Sequence, residues 1–189
     1  GAGMGEHTDF LLKQGFSVHA TDISSKSVEF LKKKYAKYNL FEAEVADMES
    51  LPFKDNSFDV ICSAGSLSYG DNSIVMNEIH RVLVKGGLFI ALDSLNNNPI
   101  YKLNRYIHFL LGNRSRSTLQ RMPTINLLEK YTSKFGNLEV RYFGSLTWLF
   151  PILKIFLSSN NLRMFSNKID TKLNIKKSAF KFTMKVKKL

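Results

Sequence analysis

The segment GAGMGEH, residues 1–7, carries glycine at positions 1, 3 and 5. Glycine at alternate positions lets the backbone take positive φ and brings main-chain N–H groups against a ligand with no Cβ in between. The residues that follow, Glu6 to Lys13, include Phe10, Leu11 and Leu12, with Gly15 placed to end a helix. A loop feeding a helix N-terminus favours an electronegative group at that point. Such a loop ordinarily follows a strand. The chain is therefore expected to begin inside the motif, with the first strand missing from it.

Outward from this loop, strand and helix patterns alternate. FSVHATD (16–22) reads as a strand. SSKSVEFLKKKYAKY (24–38) reads as a helix capped by Ser24 or Ser25, with Val28, Leu31, Tyr35 and Tyr38 on one face. LFEAEVAD (40–47) is a second strand, LPFKDNS a turn, and FDVICSAG (58–65) a third strand. The third is nearly all apolar, as a strand covered on both faces is, and its single cysteine, Cys62, reads as a core residue. SIVMNEIHRVLV is a helix that Lys85-Gly86-Gly87 stops, and LFIALDSL (88–95) is a fourth strand. Alternation of this kind predicts parallel strands with right-handed crossovers, a doubly wound α/β sheet.

From Asn96 the character changes. IYKLNRYIHFLL (100–111) mixes apolar and aromatic residues with Lys102 and Arg105, and GNRSRSTLQRMP (112–123) is polar and basic. TINLLEKYTSKF (124–135) is helical with Thr124 as its cap, and LEVRYFGSL reads as a strand. TWLFPILKIFL (147–157) is apolar but short of the ~20 residues that span a bilayer. SAFKFTMKVKK (178–188) alternates Phe180, Phe182, Met184 and Val186 with polar residues, the pattern of a strand with one wet face. Charge divides at the same place: residues 1–95 carry a net −4 and residues 96–189 a net +15. The two parts, 1–95 and 96–189, are read as the cofactor-binding portion and the substrate lid with C-terminal portion of one domain.

The glycine pattern is G-x-G-x-G. A dinucleotide loop, G-x-G-x-x-G, would need glycine where Glu6 stands. That disfavours a pyrophosphate and an oxidoreductase. Asp22 ends the strand after the loop and is placed to accept from two ribose hydroxyls. Asp47 ends the next strand, placed to accept from an exocyclic adenine amine while Met48 packs on the ring.

The succession GAGMGEH, HATDIS, EVADMESLPFKDNSFDVICSAGSLSY and EIHRVLVKGGLFIAL resembles the class I S-adenosylmethionine-dependent methyltransferases, and most of all the small-molecule branch with the ubiquinone and menaquinone enzymes. RVLVKGG stands where that family typically has RVLKPGG. The resemblance covers roughly residues 1–95 and implies a Rossmann-like sheet and S-adenosyl-L-methionine as cofactor. It implies that Gly1, Ala2, Gly3 and Gly5 surround the methionine portion and ribose. It places Asp22 on the ribose, Ile23 beside the adenine, and Asp47 and Met48 on the adenine. Ser63, Ala64 and Gly65 would line the methionine amine, with Leu67 and Tyr69 facing the methyl group and acceptor.

The acceptor half is read as an inserted helical lid. Tyr69 and His108 are the candidate catalytic residues. Arg105, Arg114, Arg116 and Arg121 are the candidate clamp for a phosphate-bearing or lipid-linked acceptor. The lid and VRYFGSLTWLFP resemble methyltransferases of bacterial surface-polysaccharide synthesis, which implies O-methylation of a glycan or lipid-linked intermediate. Quinone or lipid methylation at the membrane and a non-catalytic cofactor-binding member are the alternatives. The basic half lacks an RNA-binding signature, so nucleic acid is not an expected partner. No metal-ligand spacing is present, and no metal is expected. A cytoplasmic protein with peripheral contact at the anionic inner membrane face is the expected setting.

Overall fold

The computed structural model describes residues 1–155 and 157–189. In chain order the elements are α1 (Thr8–Lys13), β1 (Val18–Asp22), α2 (Ser25–Lys34), β2 (Phe41–Val45), β3 (Phe58–Ala64), α3 (Asn72–Val82) and β4 (Leu83–Ser94). The second half adds α4 (Pro99–Leu110), α5 (Arg116–Gln120), α6 (Ile125–Phe135) and β5 (Leu138–Phe143). A 3-10 turn (Thr147–Leu149), α7 (Phe150–Leu153), α8 (Ser159–Leu173) and β6 (Lys181–Lys187) complete it.

Helices α2, α3, α4 and α6 begin where the sequence supplies a cap. Ser24 accepts from Ser27 N, Asp71 from Ser73 N and Ile74 N, Asn98 from Ile100 N, and Thr124 from Leu127 N. Each replaces one of the unpaired N–H partners at a helix start. Pro99 sits in the first turn of α4, where its missing N–H costs nothing.

The fold class is α/β, as the alternation predicts. β1 and β2 pair in parallel, and so do β3 and β4. The expected single sheet lies in two parts: a two-stranded β1-β2 sheet and a four-stranded sheet of order β3-β4-β6-β5. β6 is antiparallel to both neighbours, so the second half of the chain completes the sheet that the first half begins. The two parts meet where the His19 ring of β1 stands edge-on to Phe53 and Phe58.

Each part has its own core. Leu12, Ala20, Val28, Leu31, Tyr35 and Ala43 pack between α1, α2 and the small sheet. The larger core joins Phe89 and Ala91 of β4 to Leu128, Tyr131 and Phe135 of α6 and to Phe182, Met184 and Val186 of β6. The alternation read in 178–188 is thus the buried face of β6.

Two further expectations need correction. Lys85-Gly86-Gly87 does not stop a helix. α3 ends at Val82 and the triplet lies inside β4, where pairing jumps from Phe58↔Leu83 to Val60↔Leu88. Gly86 has φ +81, so the strand bulges at a residue that tolerates it. Cys62 is exposed rather than in the core, because β3 is the outer strand of its sheet and Asp59 and Val60 are exposed with it. The apolar stretch 147–157 forms the 3-10 turn and α7 over Thr147–Leu153, and its residue Phe156 lies outside the described residues.

Candidate active site

The C-terminal ends of the parallel pairs β1-β2 and β3-β4 are brought together by the glycine loop, whose Ala2 N donates to Thr21 O and whose Gly1 backbone closes on Ser66. They deliver Asp22 from β1, the Ala46-Asp47-Met48 turn after β2, Ser63 to Gly65 from β3, and Asp93 from β4. Ligands of open α/β sheets bind outside that C-terminal edge.

The glycine loop is tied to β1 at this edge. Ala2 N donates to Thr21 O at 2.8 Å, and Gly3 N donates to Asp22 Oδ2 at 2.8 Å. Asp22 Oδ1 accepts from Ser24 N at 2.9 Å. Each carboxylate oxygen has a second acceptor site, so two further donors can still be held. Gly3 has φ +54, and a Cβ there would meet nothing within 4 Å. The loop needs glycine at this point for its backbone, and open space lies beside it. Gly5 differs: with φ +76, its Cβ would stand 2.7 Å from Leu31 Cδ2 and 2.9 Å from Tyr35 Cε2. The Tyr35 hydroxyl donates to Gly5 O at 2.7 Å, fixing the loop on α2.

The other candidates line up along the edge. Ile23, beside Asp22, is 72% exposed. Ala46 N donates to Asp22 O at 3.1 Å, which sets the Asp47 turn against Asp22. Asp47 caps its own turn by accepting from Glu49 N at 2.9 Å. Met48 is half-buried against Gly70. At the end of β3 the Ser63 and Ser66 hydroxyls are 2.7 Å apart, and the Gly1 backbone closes on Ser66. Ala64 and Gly65 complete the same turn, and Gly65 N donates to Leu92 O of β4.

Leu67 is buried, and its N–H donates to Asp93 Oδ2 at 3.0 Å. Asp93 was not singled out from the sequence, although it ends its strand in LFIALDSL as Asp22 and Asp47 end theirs. Burial pushes its carboxyl above the ordinary aspartate range, against the hydrogen bonds from Ser94 N and Leu67 N. Tyr69, by contrast, is 66% exposed at the mouth of the loop, held through its backbone O by Arg121 Nη1 at 3.0 Å.

The four arginines do not form one clamp. Arg121 is committed to Tyr69 O and to Glu49, 3.7 Å away. Arg116 opens α5 exposed, with no side-chain partner among the described residues. Arg114 is exposed near Met122. Only Arg105 is buried, on the inner face of α4. His108, one turn along the same helix, is exposed and bonds to none of the other candidates. No group of three or more metal-ligating side chains occurs among the described residues.

The profile of a methyltransferase domain matches residues 1–91. These residues are a class I S-adenosylmethionine-dependent methyltransferase domain. The sterol 4-C-methyltransferase of Caenorhabditis elegans is 34% identical over 95 residues, 48% of this chain and 28% of that protein. The demethylmenaquinone methyltransferase of Staphylococcus haemolyticus is 32% identical over 94 residues, 49% of this chain and 39% of that protein. The chain spans less than half the length of these curated relatives. Among solved structures, geranyl diphosphate methyltransferase in complex with S-adenosylmethionine shares the fold, with TM-score 0.68 and 14% identity over 100% of this chain and 76% of that one. S-adenosylmethionine is the cofactor of this family.

Proposed function

We propose that the protein transfers the methyl group of S-adenosylmethionine to a small-molecule acceptor. The observation that carries this reading is the Asp22 carboxylate, which holds the glycine loop through Gly3 N and keeps acceptor capacity facing the strand-end edge. The residues present fit the cofactor. Asp22 takes the two ribose hydroxyls, the exposed Ile23 covers one adenine face, and Asp47 with Met48 takes the amine and the opposite face. Gly1, Ala2, Gly3 and Gly5 give room for the methionine portion. Ser63, Ala64 and Gly65 supply backbone and hydroxyl oxygens to its ammonium group.

When bound, the cofactor supplies a methyl group activated by its sulfonium charge. The protein contributes position and dryness. The acceptor is held in line, Leu67 excludes water behind the transfer point, and Tyr69 closes over it. An oxygen acceptor loses a proton as the bond forms, and Tyr69 is assigned to take it. The expected acceptor is a hydroxyl of a glycan or lipid-linked intermediate, in line with the basic second half.

A second observation favours delivery of that acceptor at a membrane surface. The outward side of α4 exposes Leu103, Tyr106, Ile107 and Leu110, with Lys102 and Arg114 nearby in the chain. Apolar residues rimmed by cations suit an anionic lipid interface. No helix among the described residues is long and apolar enough to cross a membrane. Turnover of tritiated cofactor with glycan, quinone and phospholipid extracts tests the acceptor. Flotation with anionic vesicles tests the setting. Tight cofactor binding without transfer to any fraction would favour a non-catalytic role.

A further inference from the structure

The inner side of α4 holds a second site. A cavity of about 370 Å³ is lined by Tyr101, Asn104, Arg105, Thr147 and Phe180. It lies beyond the C-terminal end of β4, since Ser94 pairs with Lys181 and Leu95 N donates to Phe180 O at 2.8 Å. That is the edge on which Asp22, Ser63 and Asp93 stand.

Arg105 is 5% exposed. Its Nη1 donates to Leu95 O at 2.9 Å and to Asn96 Oδ1 at 3.1 Å, both neutral acceptors. Its Nη2 is buried with no partner among the described residues. No carboxylate lies within ion-pair distance of it among those residues. Asp93 attracts it from farther away, while its own oxygens accept from Leu67 N and Ser94 N. The neighbouring Arg114 adds like charge, and burial brings the guanidinium down to about 10. A buried charge is costly without a partner and a satisfied hydrogen-bonding shell. Here the shell has one donor left over and no counter-ion.

The walls say what kind of counter-ion fits. The Arg105 guanidinium carbon is 5.3 Å from the Phe180 ring centre and 5.9 Å from that of Tyr101. Those two rings are 4.8 Å apart. The Tyr101 hydroxyl bonds to Thr147 Oγ1 and to Gly144 O, which holds the ring upright. Two aromatic walls with one unpaired guanidinium donor suit an amphipathic anion rather than a bare inorganic one.

We infer that this cavity binds an oxyanion, a phosphate or carboxylate, carried on a flat or apolar body, with the Arg105 guanidinium as its counter-charge. As a subsite for the methyl acceptor the inference rests on the methyltransferase reading above; as an anion site it does not.

The test titrates phenyl phosphate, benzoate and the neutral benzyl alcohol into the protein by calorimetry, alongside S-adenosylhomocysteine. Two variants are used. Arg105→Met removes the counter-charge. Asn104→Trp fills the cavity from an exposed position and leaves every Arg105 bond in place. Phenyl phosphate or benzoate should bind at least tenfold more tightly than benzyl alcohol, and whichever of the two is tighter names the oxyanion. Both variants should weaken that binding at least tenfold. S-adenosylhomocysteine affinity should stay within threefold in Asn104→Trp, which also shows that this variant is folded. Equal binding of the neutral probe, no binding of either anion, or unchanged anion binding in Asn104→Trp would overturn the inference. Anion binding lost in the variants, with no S-adenosylhomocysteine binding to any of the proteins, would keep the anion site and overturn the methyltransferase reading.

Discussion

The Tyr35 hydroxyl, on the residue that ends α2, donates to the carbonyl oxygen of Gly5 at 2.7 Å in a buried setting. The loop that would hold the cofactor is thereby fastened to the small core by one hydrogen bond and by the absence of a side chain at Gly5. Tyr35→Phe removes the bond while keeping the ring, and should cost ~1 kcal/mol of stability. Gly5→Ala adds a Cβ into Leu31 and Tyr35 at positive φ, and should cost more, ~2–4 kcal/mol. Denaturant unfolding of the two variants checks the order. S-adenosylhomocysteine affinity should fall in the same order.

Asp93 makes a prediction about pH. Its folded carboxyl is raised by burial above the unfolded value of ~4. The folded state therefore holds this proton more tightly than the unfolded state. The stabilisation is complete below the unfolded value and is lost as pH rises through the folded one. Wild type and Asp93→Asn are compared by thermal unfolding between about pH 4 and pH 8. The wild-type midpoint, taken relative to the variant, should fall as pH rises. A relative midpoint that climbs with pH would mean that the carboxylate, not the acid, is the favoured buried form.

Asp170 shows how the far end of the chain builds the lid. It is buried on α8 and accepts from Gly144 N at 2.7 Å and Ser145 N at 3.2 Å. Asp170→Ala leaves both N–H groups without their acceptor and should cost ~2–4 kcal/mol. Thr147, three residues on from Gly144, would lose its place against Tyr101. Phenyl phosphate binding should fall in this variant while S-adenosylhomocysteine binding holds, as parallel calorimetric titrations would show.

Tyr69 and His108 separate in kinetics. Tyr69 lies in the loop that runs from Ser66 through Leu67, whereas His108 stands exposed on α4 without a bond to any candidate. Tyr69→Phe should lower kcat at least tenfold with cofactor affinity nearly unchanged, and His108→Ala should change kcat less than threefold. Single-turnover rates with saturating cofactor measure both. A larger loss from His108→Ala would move the proton acceptor to the lid.

The legible parts of the sequence were those with local causes. Caps at Ser24 and Thr124, the period of two in Phe182, Met184 and Val186, and acids at strand ends all follow from neighbours a few residues away. The illegible parts depend on distant partners. Gly86 and Gly87 look like a helix stop until β3 is seen to pair on either side of them. Cys62 looks like core until β3 proves to be an outer strand. The arginines at 105, 114, 116 and 121 are alike in sequence, and only the seating of Arg105 against Leu95, Asn96 and Phe180 buries the first. α8, with its buried Asp170, carries no pattern strong enough to announce itself.

The measurement that bears most directly on the central claim is calorimetric titration of S-adenosylhomocysteine into the protein and into Asp22→Ala, with NADH as control. Two charge-assisted bonds to ribose hydroxyls amount to ~3–5 kcal/mol, so the variant should bind at least a hundredfold more weakly. Micromolar binding by wild type, that loss in the variant, and no binding of NADH are the predicted result. Equal affinities for the two proteins, or no binding to a folded wild type, would contradict the cofactor site built here on Asp22 and the glycine loop.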